Sequence, residues 1–190
     1  MCAETGGAED RAGGGEVNFS MNQKPPYKVL ILCTGNSARS ILGEYLLRVK
    51  GRGRFEVFSA GAKPTGRVNP LAVRVLSERY GLDASDARSK SWDEFAGVKF
   101  DFVITVCDHA RETCPIWPGQ PMIAHWGSPD PAAAEGTEEE KYRAFVAVAS
   151  QIARRVDLFC AFPDAKLFDA VAVRAVGEEA KLEAEPAVKR

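Results

Sequence analysis

One short loop, set between a strand pattern and a helix pattern, constrains the fold of this chain more than any other feature. The apolar run Tyr27–Cys33 predicts a buried strand, and residues from about Ala38 to Lys50 place their apolar side chains on one helical stripe. The loop between them has a cysteine and, five residues later, an arginine, in the order Cys33-Thr34-Gly35-Asn36-Ser37-Ala38-Arg39-Ser40. A strand that runs through a tight loop into a helix is typical of an α/β domain.

The loop has the chemistry of a site that holds a tetrahedral oxyanion against a nucleophile. Successive backbone N–H groups in such a turn converge on an anion, and the N-terminus of the following helix adds the positive end of its dipole. We expect this field to lower the pKa of Cys33, and Arg39 can hold two anion oxygens with its planar guanidinium. A cysteine merely buried at a strand end is the alternative. Seven residues are expected to line the site: Thr34, Gly35, Asn36, Ser37, Ala38, Arg39 and Ser40.

Strand patterns and helix patterns alternate along the rest of the chain. We expect strands at Phe55–Gly61, Phe100–Val106 and Met122–Trp126, and helices from Pro70 to Tyr80 and from Glu138 to Phe159. This alternation predicts an α/β domain with a parallel sheet and helices on both faces.

Three reactive side chains fall where the predicted strands end. Cys33 closes the first strand, Cys107 follows the third, and Asp130 comes just after the fourth. Since ligands bind at the carboxyl ends of parallel strands, we expect the three to converge on one rim of the sheet. Asp130 lies between two prolines that stiffen its loop, and there it could protonate an oxygen that leaves the oxyanion. The alternative is an ordinary polar turn residue.

Two further cysteines bear on the kind of reaction. Hydrolysis of a phosphate ester needs only Cys33, Arg39 and Asp130, whereas reduction needs electrons, which Cys107 and Cys114 could supply. If Cys33 attacks arsenate, Cys107 could attack the Cys33 sulfur and release arsenite, and Cys114 could then attack Cys107. A disulfide between Cys107 and Cys114 requires the loop between them to bend or unwind. Two unrelated buried thiols are the alternative.

The composition is that of an ordinary globular protein. The chain has 190 residues, of which 45% are apolar and 27% charged, with a net charge of −1. This charge gives no electrostatic case for nucleic acid or an anionic membrane. No apolar run approaches the length of a membrane span, and no secretory signal pattern begins the chain. We therefore expect a cytoplasmic protein.

The cysteines do not suggest a disulfide scaffold or a metal site. There are five, at Cys2, Cys33, Cys107, Cys114 and Cys160. The number is odd and paired C-x2-C sets are absent, and the two histidines lack zinc-finger spacing. In a reducing compartment such cysteines are more often catalytic or redox-active, so we predict no bound metal.

The chain divides by composition into three parts. Residues 1–24 are rich in Gly, Ala and Glu and are expected to be disordered. Residues 25–162 hold all of the motifs above and form the predicted catalytic domain. Residues 163–190 are a C-terminal extension to which the sequence assigns no role.

Several motifs together resemble one known family. They are the Cys33–Ser40 loop, the Phe-Ser-Ala-Gly that ends at Gly61, the Val-Asn-Pro that ends at Pro70, the pair Cys107-Asp108 and Cys114-Pro115, and His125-Trp126-Gly127 with Asp130-Pro131. Over residues 27–160 the chain is similar to the arsenate reductases related to low-molecular-weight protein tyrosine phosphatases. That family has a three-layer, flavodoxin-like sandwich with a four-stranded parallel sheet in the order 2-1-3-4.

The resemblance implies a role for each reactive residue. Cys33 would be the nucleophile, Arg39 the oxyanion clamp, Asp130 the acid, and Cys107 and Cys114 the redox relay. Arsenate would be the substrate and phosphate a competing oxyanion. No cofactor would be bound, and electrons would come from an external thiol, thioredoxin or otherwise glutaredoxin or glutathione.

One departure concerns a cation site. Some members bind potassium near the loop through an Asn, a Glu, a Ser and an Asp. Asn36, Glu44 and Ser59 match the first three, but Lys90 stands at the fourth position. Because a lysine ammonium could replace the cation, we expect no dependence on potassium.

Two other functions remain open from the sequence. The first is a low-molecular-weight protein tyrosine phosphatase, against which stands the lack of aromatic residues beside Asp130 in Ser128–Ala133. The second is a non-catalytic oxyanion sensor with Cys33 as a redox switch. The presence of both Arg39 and Asp130 favours turnover over sensing.

Overall fold

The structure, a computed structural model, describes residues 24–182. Its sheet has four strands, β1 (Tyr27–Cys33), β2 (Phe55–Gly61), β3 (Phe102–Thr105) and β4 (Met122–His125). All pairings are parallel and the strand order is β2-β1-β3-β4. The predicted α/β fold and its 2-1-3-4 order are confirmed.

Five α-helices accompany the sheet among the described residues. They are α1 (Arg39–Lys50), α2 (Pro70–Tyr80), α3 (Asp108–Glu112), α4 (Glu138–Ala161) and α5 (Ala170–Leu182). Three short 3-10 turns lie at Trp92–Phe95, Pro131–Ala133 and Asp164–Lys166.

Capping residues set both ends of α2 and the start of α4. Asn69 caps α2 by accepting a hydrogen bond from the Leu71 N–H, and Gly81 ends it in the left-handed conformation, at φ 65°. A capping box of Thr137 and Glu140 starts α4. These ends are therefore fixed by a few residues at each boundary.

The core lies between the sheet and its helices. Val29 and Leu30 of β1 and Phe102 of β3 are completely buried, as is usual for central parallel strands. On α4, Phe159 stacks on Phe55 and meets Phe102 edge to face, which joins the helix to the sheet.

Two elements were not expected from the sequence. The short helix α3 occupies the segment that links Cys107 to Cys114. The helix α5 belongs to the C-terminal extension and packs beside β4, with Leu167, Val173 and Val176 buried in the common core. The extension is thus continuous with the core of the domain.

Smaller differences concern boundaries and the termini. The third strand is shorter than the predicted Phe100–Val106, although the Val106 N–H still donates to the Leu32 carbonyl of β1. The predicted disordered tail, 1–24, lies outside the described residues except for Lys24, as do residues 183–190 of the extension.

Candidate active site

The loop from Cys33 to Ser40, called the anion loop below, is held in a conformation that few residues tolerate. Asn36 has a φ of 44°, in the left-handed region where asparagine is among the least strained residues. Gly61, at the end of β2, packs directly against the loop. A Cβ at position 61 would lie 2.6 Å from the Thr34 carbonyl oxygen, so only glycine fits.

The carbonyl groups of the anion loop are tied to the segment that follows β2. The Thr34 carbonyl accepts from the Lys63 N–H at 2.9 Å, and the Ser37 carbonyl accepts from the Asn69 N–H at 2.9 Å. The Asn36 N–H, in contrast, donates to Cys33 Sγ at 3.1 Å. This arrangement directs N–H groups toward the thiol, as binding of an oxyanion there requires.

Cys33 lies at the bottom of the loop and is 3% exposed. Burial raises the pKa of its thiol, while hydrogen bonds with Ser40 Oγ, at 2.9 Å, and with the Asn36 N–H oppose the rise. The predicted lowering of this pKa is therefore wrong. The loop sequence shows the helix end and the N–H groups that favour a thiolate, but the desolvation that disfavours it arises only when the loop is buried.

A buried polar network supports the loop from behind. The Asn36 amide donates to Ser40 Oγ at 2.9 Å and to Ser59 Oγ at 2.8 Å, and Ser59 donates to Glu44. The Lys90 ammonium lies 3.3 Å from Glu44 Oε2. The positive charge of Lys90 thus lies beside Glu44, the carboxylate that would bind potassium in some members of the family that the sequence resembles.

Arg39 and Asp130, the predicted clamp and acid, lie in contact on the same rim of the sheet. Arg39 Nη2 lies 3.1 Å from Asp130 Oδ2, and Arg39 Nη1 donates to the Ser128 carbonyl at 3.0 Å. The Asp130 side chain is about half exposed, at 47%, and Oδ1 also accepts from the Ala132 N–H at 3.1 Å. The segment Ser128–Pro131, called the acid loop below, therefore places a carboxylate beside the guanidinium.

The two cysteines with a predicted redox role lie on either side of α3. Cys107 is buried at the N-cap, and its Sγ lies 3.3 Å from Thr34 Oγ1 of the anion loop. Cys114 follows the helix and is half-buried. The structure thus brings Cys107 to the rim with Cys33, Arg39 and Asp130, and it leaves Cys114 beyond α3.

The remaining candidate residues have structural surroundings. His109 and Arg111 are exposed, as the sequence interpretation favoured. Trp117 is buried and packs edge to face on Phe100, and Trp126 packs on the aromatic core. These positions support packing rather than contact with a substrate.

Two features are absent from the part of the chain that the structure describes. Within residues 24–182, no group of three or more His, Cys, Asp or Glu side chains is arranged to hold a metal ion. In the same range no helix is long and apolar enough to cross a membrane.

Sequence reasoning missed two residues that contact this site. Arg155 of α4 hydrogen-bonds the residues before and within the acid loop, and the Ser128 carbonyl supports Arg39. An arginine among helical residues normally indicates a solvated face, and a serine carbonyl leaves no sequence signal. Only the apolar neighbours of Arg155, Ile152 and Val156, could have hinted at its burial.

Comparisons with known proteins show what this chain is similar to. Residues 28–167 match the family described as low molecular weight phosphotyrosine protein phosphatase. An arsenate reductase of Halalkalibacterium halodurans is 41% identical over 139 residues, which cover 73% of this chain and 96% of that protein.

Solved structures give the same result. One described as an arsenate reductase in the phosphate binding state superimposes with a TM-score of 0.61 and 28% identity, over 71% of this chain and 97% of its own. A thioredoxin-dependent arsenate reductase of Corynebacterium glutamicum superimposes with a TM-score of 0.51 and is 29% identical, over 70% of this chain and 63% of its own.

Proposed function

The chain belongs to the low-molecular-weight phosphotyrosine protein phosphatase family, and from this premise we propose that it is an arsenate reductase with Cys33, Cys107 and Cys114 as its three working thiols. The observation that carries the proposal is the contact of Cys107 Sγ with Thr34 Oγ1, at 3.3 Å. Hydrolysis of a phosphate ester does not require a second thiol at the anion loop, whereas reduction of arsenate by this relay does.

The first step forms a bond between sulfur and arsenic. The Cys33 thiolate attacks arsenate, which the loop N–H groups and the Arg39 guanidinium hold in place. An oxygen leaves as water after receiving a proton, and Asp130, 3.1 Å from Arg39, is the donor at that position. Arsenic remains in the +5 state in this adduct.

The second step transfers electrons. The Cys107 thiolate attacks Cys33 Sγ, a sulfur–sulfur bond forms, and the sulfur–arsenic bond breaks with its electron pair going to arsenic. Arsenic leaves as arsenite, in the +3 state, while the two thiols are oxidised to a disulfide.

The third step restores the nucleophile. The Cys114 thiolate attacks Cys107 Sγ, Cys33 leaves as a thiolate, and the disulfide moves to Cys107–Cys114. At a helical rise of about 1.5 Å per residue, the intervening α3 keeps the two Cα atoms roughly 10 Å apart, beyond the ~7 Å that a disulfide spans. This helix must therefore unwind during each cycle.

An external thiol then reduces the Cys107–Cys114 disulfide. Thioredoxin is our first candidate, since a structural neighbour is described as thioredoxin-dependent, and glutaredoxin or glutathione are the alternatives. Such a reductant operates in a reducing compartment, so we place the protein in the cytoplasm.

Phosphotyrosine is a poorer substrate for this site. Beside the anion loop lies an open cleft of about 530 Å³ lined by Ser37, Thr65, Arg67, Val68, Asn69, Pro70 and Ala132. None of these side chains is aromatic, so none can stack on a tyrosyl ring. The hydrolytic groups are nevertheless present, and we expect slow hydrolysis of simple aryl phosphates.

The test is a non-reducing peptide mass map of the fully reduced protein after a single exposure to arsenate, with free thiols blocked. A disulfide between Cys107 and Cys114 that forms only with arsenate is the expected result. If all three thiols stay free while the protein hydrolyses an aryl phosphate, the chain is a phosphatase and the proposal is wrong.

A further inference from the structure

Arg155 of α4 is completely buried, which is rare for an arginine without a specific task. Its Nη1 donates to the Trp126 carbonyl at 2.9 Å and to Ser128 Oγ at 2.6 Å. Its Nη2 donates to the Gly127 carbonyl at 3.0 Å. Three successive residues, from the end of β4 into the acid loop, are thus held by one guanidinium.

The same stretch of chain holds the oxyanion clamp from its other side. The Ser128 carbonyl accepts from Arg39 Nη1 at 3.0 Å, and Asp130 pairs with Arg39 Nη2 two residues later. Ser128 therefore has Arg155 on its hydroxyl and Arg39 on its carbonyl. Any shift of Ser128 would move both the clamp and the acid.

We propose that Arg155 is a positioning residue for catalysis, which fixes the acid loop so that Arg39 and Asp130 reach the oxyanion in the correct geometry. This inference rests on the function proposed above for Arg39 and Asp130. It goes beyond that function because Arg155 touches neither substrate nor thiol and acts only through the loop.

The C-terminal extension takes part in the same arrangement. Arg155 Nη2 makes a fourth, longer contact with the Gly177 carbonyl of α5, at 3.4 Å. Gly177 lies so close to β4 that a Cβ there would be 2.1 Å from the His125 carbonyl oxygen. A helix that begins beyond the family match of residues 28–167 therefore closes the pocket around the guanidinium.

The Arg155 guanidinium remains positively charged in this buried position. Burial lowers the pKa of its guanidinium to about 10, and the negative charge of Glu178, also on α5, opposes that change. The group therefore stays protonated at neutral pH, and its hydrogen bonds to the loop are charge-assisted. Such bonds hold a loop more firmly than bonds between neutral groups.

A buried arginine is also costly to desolvate, and apolar residues often stabilise a fold as well or better. Stability alone is therefore a weak reason for a guanidinium at this place. Precise placement of the acid loop is a better one, because a displacement of about 1 Å can cost roughly 100-fold in rate.

The experiment is a double-mutant cycle of Arg155→Met and Asp130→Asn. The quantity measured is the rate of arsenite release in the first turnover, divided by the amount of reactive Cys33 thiol found by titration. Arg154→Met is the matched control, since Arg154 is the exposed neighbour on the same helix. We expect Arg155→Met to lower the first-turnover rate by roughly 10- to 100-fold. The loss in the double variant should be smaller than the product of the two single losses, because Asp130→Asn already removes the acid that Arg155 positions and leaves only its effect on Arg39.

Two results would overturn the inference. The first is a rate for Arg155→Met equal to that of Arg154→Met. The second is a set of effects that multiply in the double variant, as expected of a residue that only stabilises the fold. If Asp130→Asn itself reacts at the wild-type rate, the acid role in the proposed function is wrong, and Arg155 has no acid to position.

Should Arg155→Met fail to fold, Ser128→Ala takes its place in the cycle. This change removes only the hydroxyl that Arg155 holds and keeps the carbonyl that Arg39 uses. A loss of roughly tenfold, which becomes smaller in the Asp130→Asn background, is the expected result. An unchanged rate would overturn the inference.

The role of the extension is tested with Gly177→Ala, which must push α5 away from β4. Val171→Ala, at an exposed position of the same helix, is its control. The inference requires a slower first turnover for Gly177→Ala alone, and equal rates for the two variants would remove α5 from the arrangement.

Discussion

The Lys90 ammonium lies 3.3 Å from Glu44 Oε2 in a buried position behind the anion loop. A positive charge of the protein itself thus occupies the neighbourhood in which some family members bind potassium. Both this ammonium and the Arg48 guanidinium, whose Nη2 lies 2.5 Å from Oε1, pair with Glu44, which in turn accepts from Ser59 and so supports the Asn36 amide.

This contact predicts an enzyme that does not respond to potassium. We expect equal first-turnover rates in potassium chloride and tetramethylammonium chloride at the same ionic strength. Lys90→Asp should create a dependence on potassium, because it replaces the ammonium with a carboxylate that needs a cation beside Glu44. Stimulation of the unmodified protein by potassium would contradict the prediction.

The relay predicts different defects for different thiols. Cys33→Ser should abolish both arsenate reduction and aryl phosphate hydrolysis, since both begin with its attack. Cys107→Ser and Cys114→Ser should stop repeated reduction of arsenate but leave hydrolysis largely intact. Steady-state assays of both reactions make the comparison.

Cys160→Ser is the control for the relay, because Cys160 lies at the end of α4 and away from the anion loop. It should retain both activities. Full activity of Cys114→Ser with a protein reductant would contradict the three-thiol relay.

The buried thiol of Cys33 predicts a rate that rises with pH. Because its pKa is raised, the thiol form dominates at low pH and the reactive thiolate fraction increases as pH rises toward that pKa. The measurement is the rate of Cys33 alkylation by iodoacetamide against pH, followed by peptide mass spectrometry in the Cys107→Ser, Cys114→Ser double variant.

Ser40→Ala supplies the second arm of that measurement. Loss of the hydrogen bond to Cys33 Sγ should raise the pKa further and move the alkylation profile to higher pH. A profile that moves downward, or stays in place, would show that Ser40 does not stabilise the thiolate.

The close packing of Gly61 against the anion loop predicts that a single added methyl group lowers both stability and affinity for arsenate. Gly61→Ala would force the anion loop away from β2 and should cost about 1–3 kcal/mol of stability together with most of the affinity for arsenate. Thermal unfolding with and without arsenate measures both effects. Gly97→Ala, at an exposed position with open space around it, is the control and should change neither.

Much of the fold followed from the sequence because its signals are local. The strand Tyr27–Cys33 is a largely apolar run. The helix from Pro70 is capped by Asn69 at its N-terminus and ends at Gly81, and both residue types are typical of these positions. The rim shared by Cys33, Cys107 and Asp130 followed from topology, since parallel strands bring their carboxyl ends to one edge.

The extension shows where local signals were insufficient. Its stretch Leu167–Val176 alternates apolar and other residues, and a short run of this kind cannot be assigned to helix or strand from its period alone. What makes it α5 is contact with β4, including the close approach of Gly177 to His125. That contact joins parts of the chain about fifty residues apart, which no window of sequence contains.

The sequence by itself determined which groups are available for the proposed chemistry: a thiol and a carboxylate that follow strands, a guanidinium at the start of α1, and two further thiols downstream. The tertiary structure alone decided how those groups behave. Burial of Cys33 raises the pKa of its thiol. Arg155, which the sequence suggests is a surface residue, is buried and donates hydrogen bonds to the acid loop. Residue types are fixed by covalent chemistry, whereas desolvation and hydrogen-bond geometry depend on neighbours that only folding brings together.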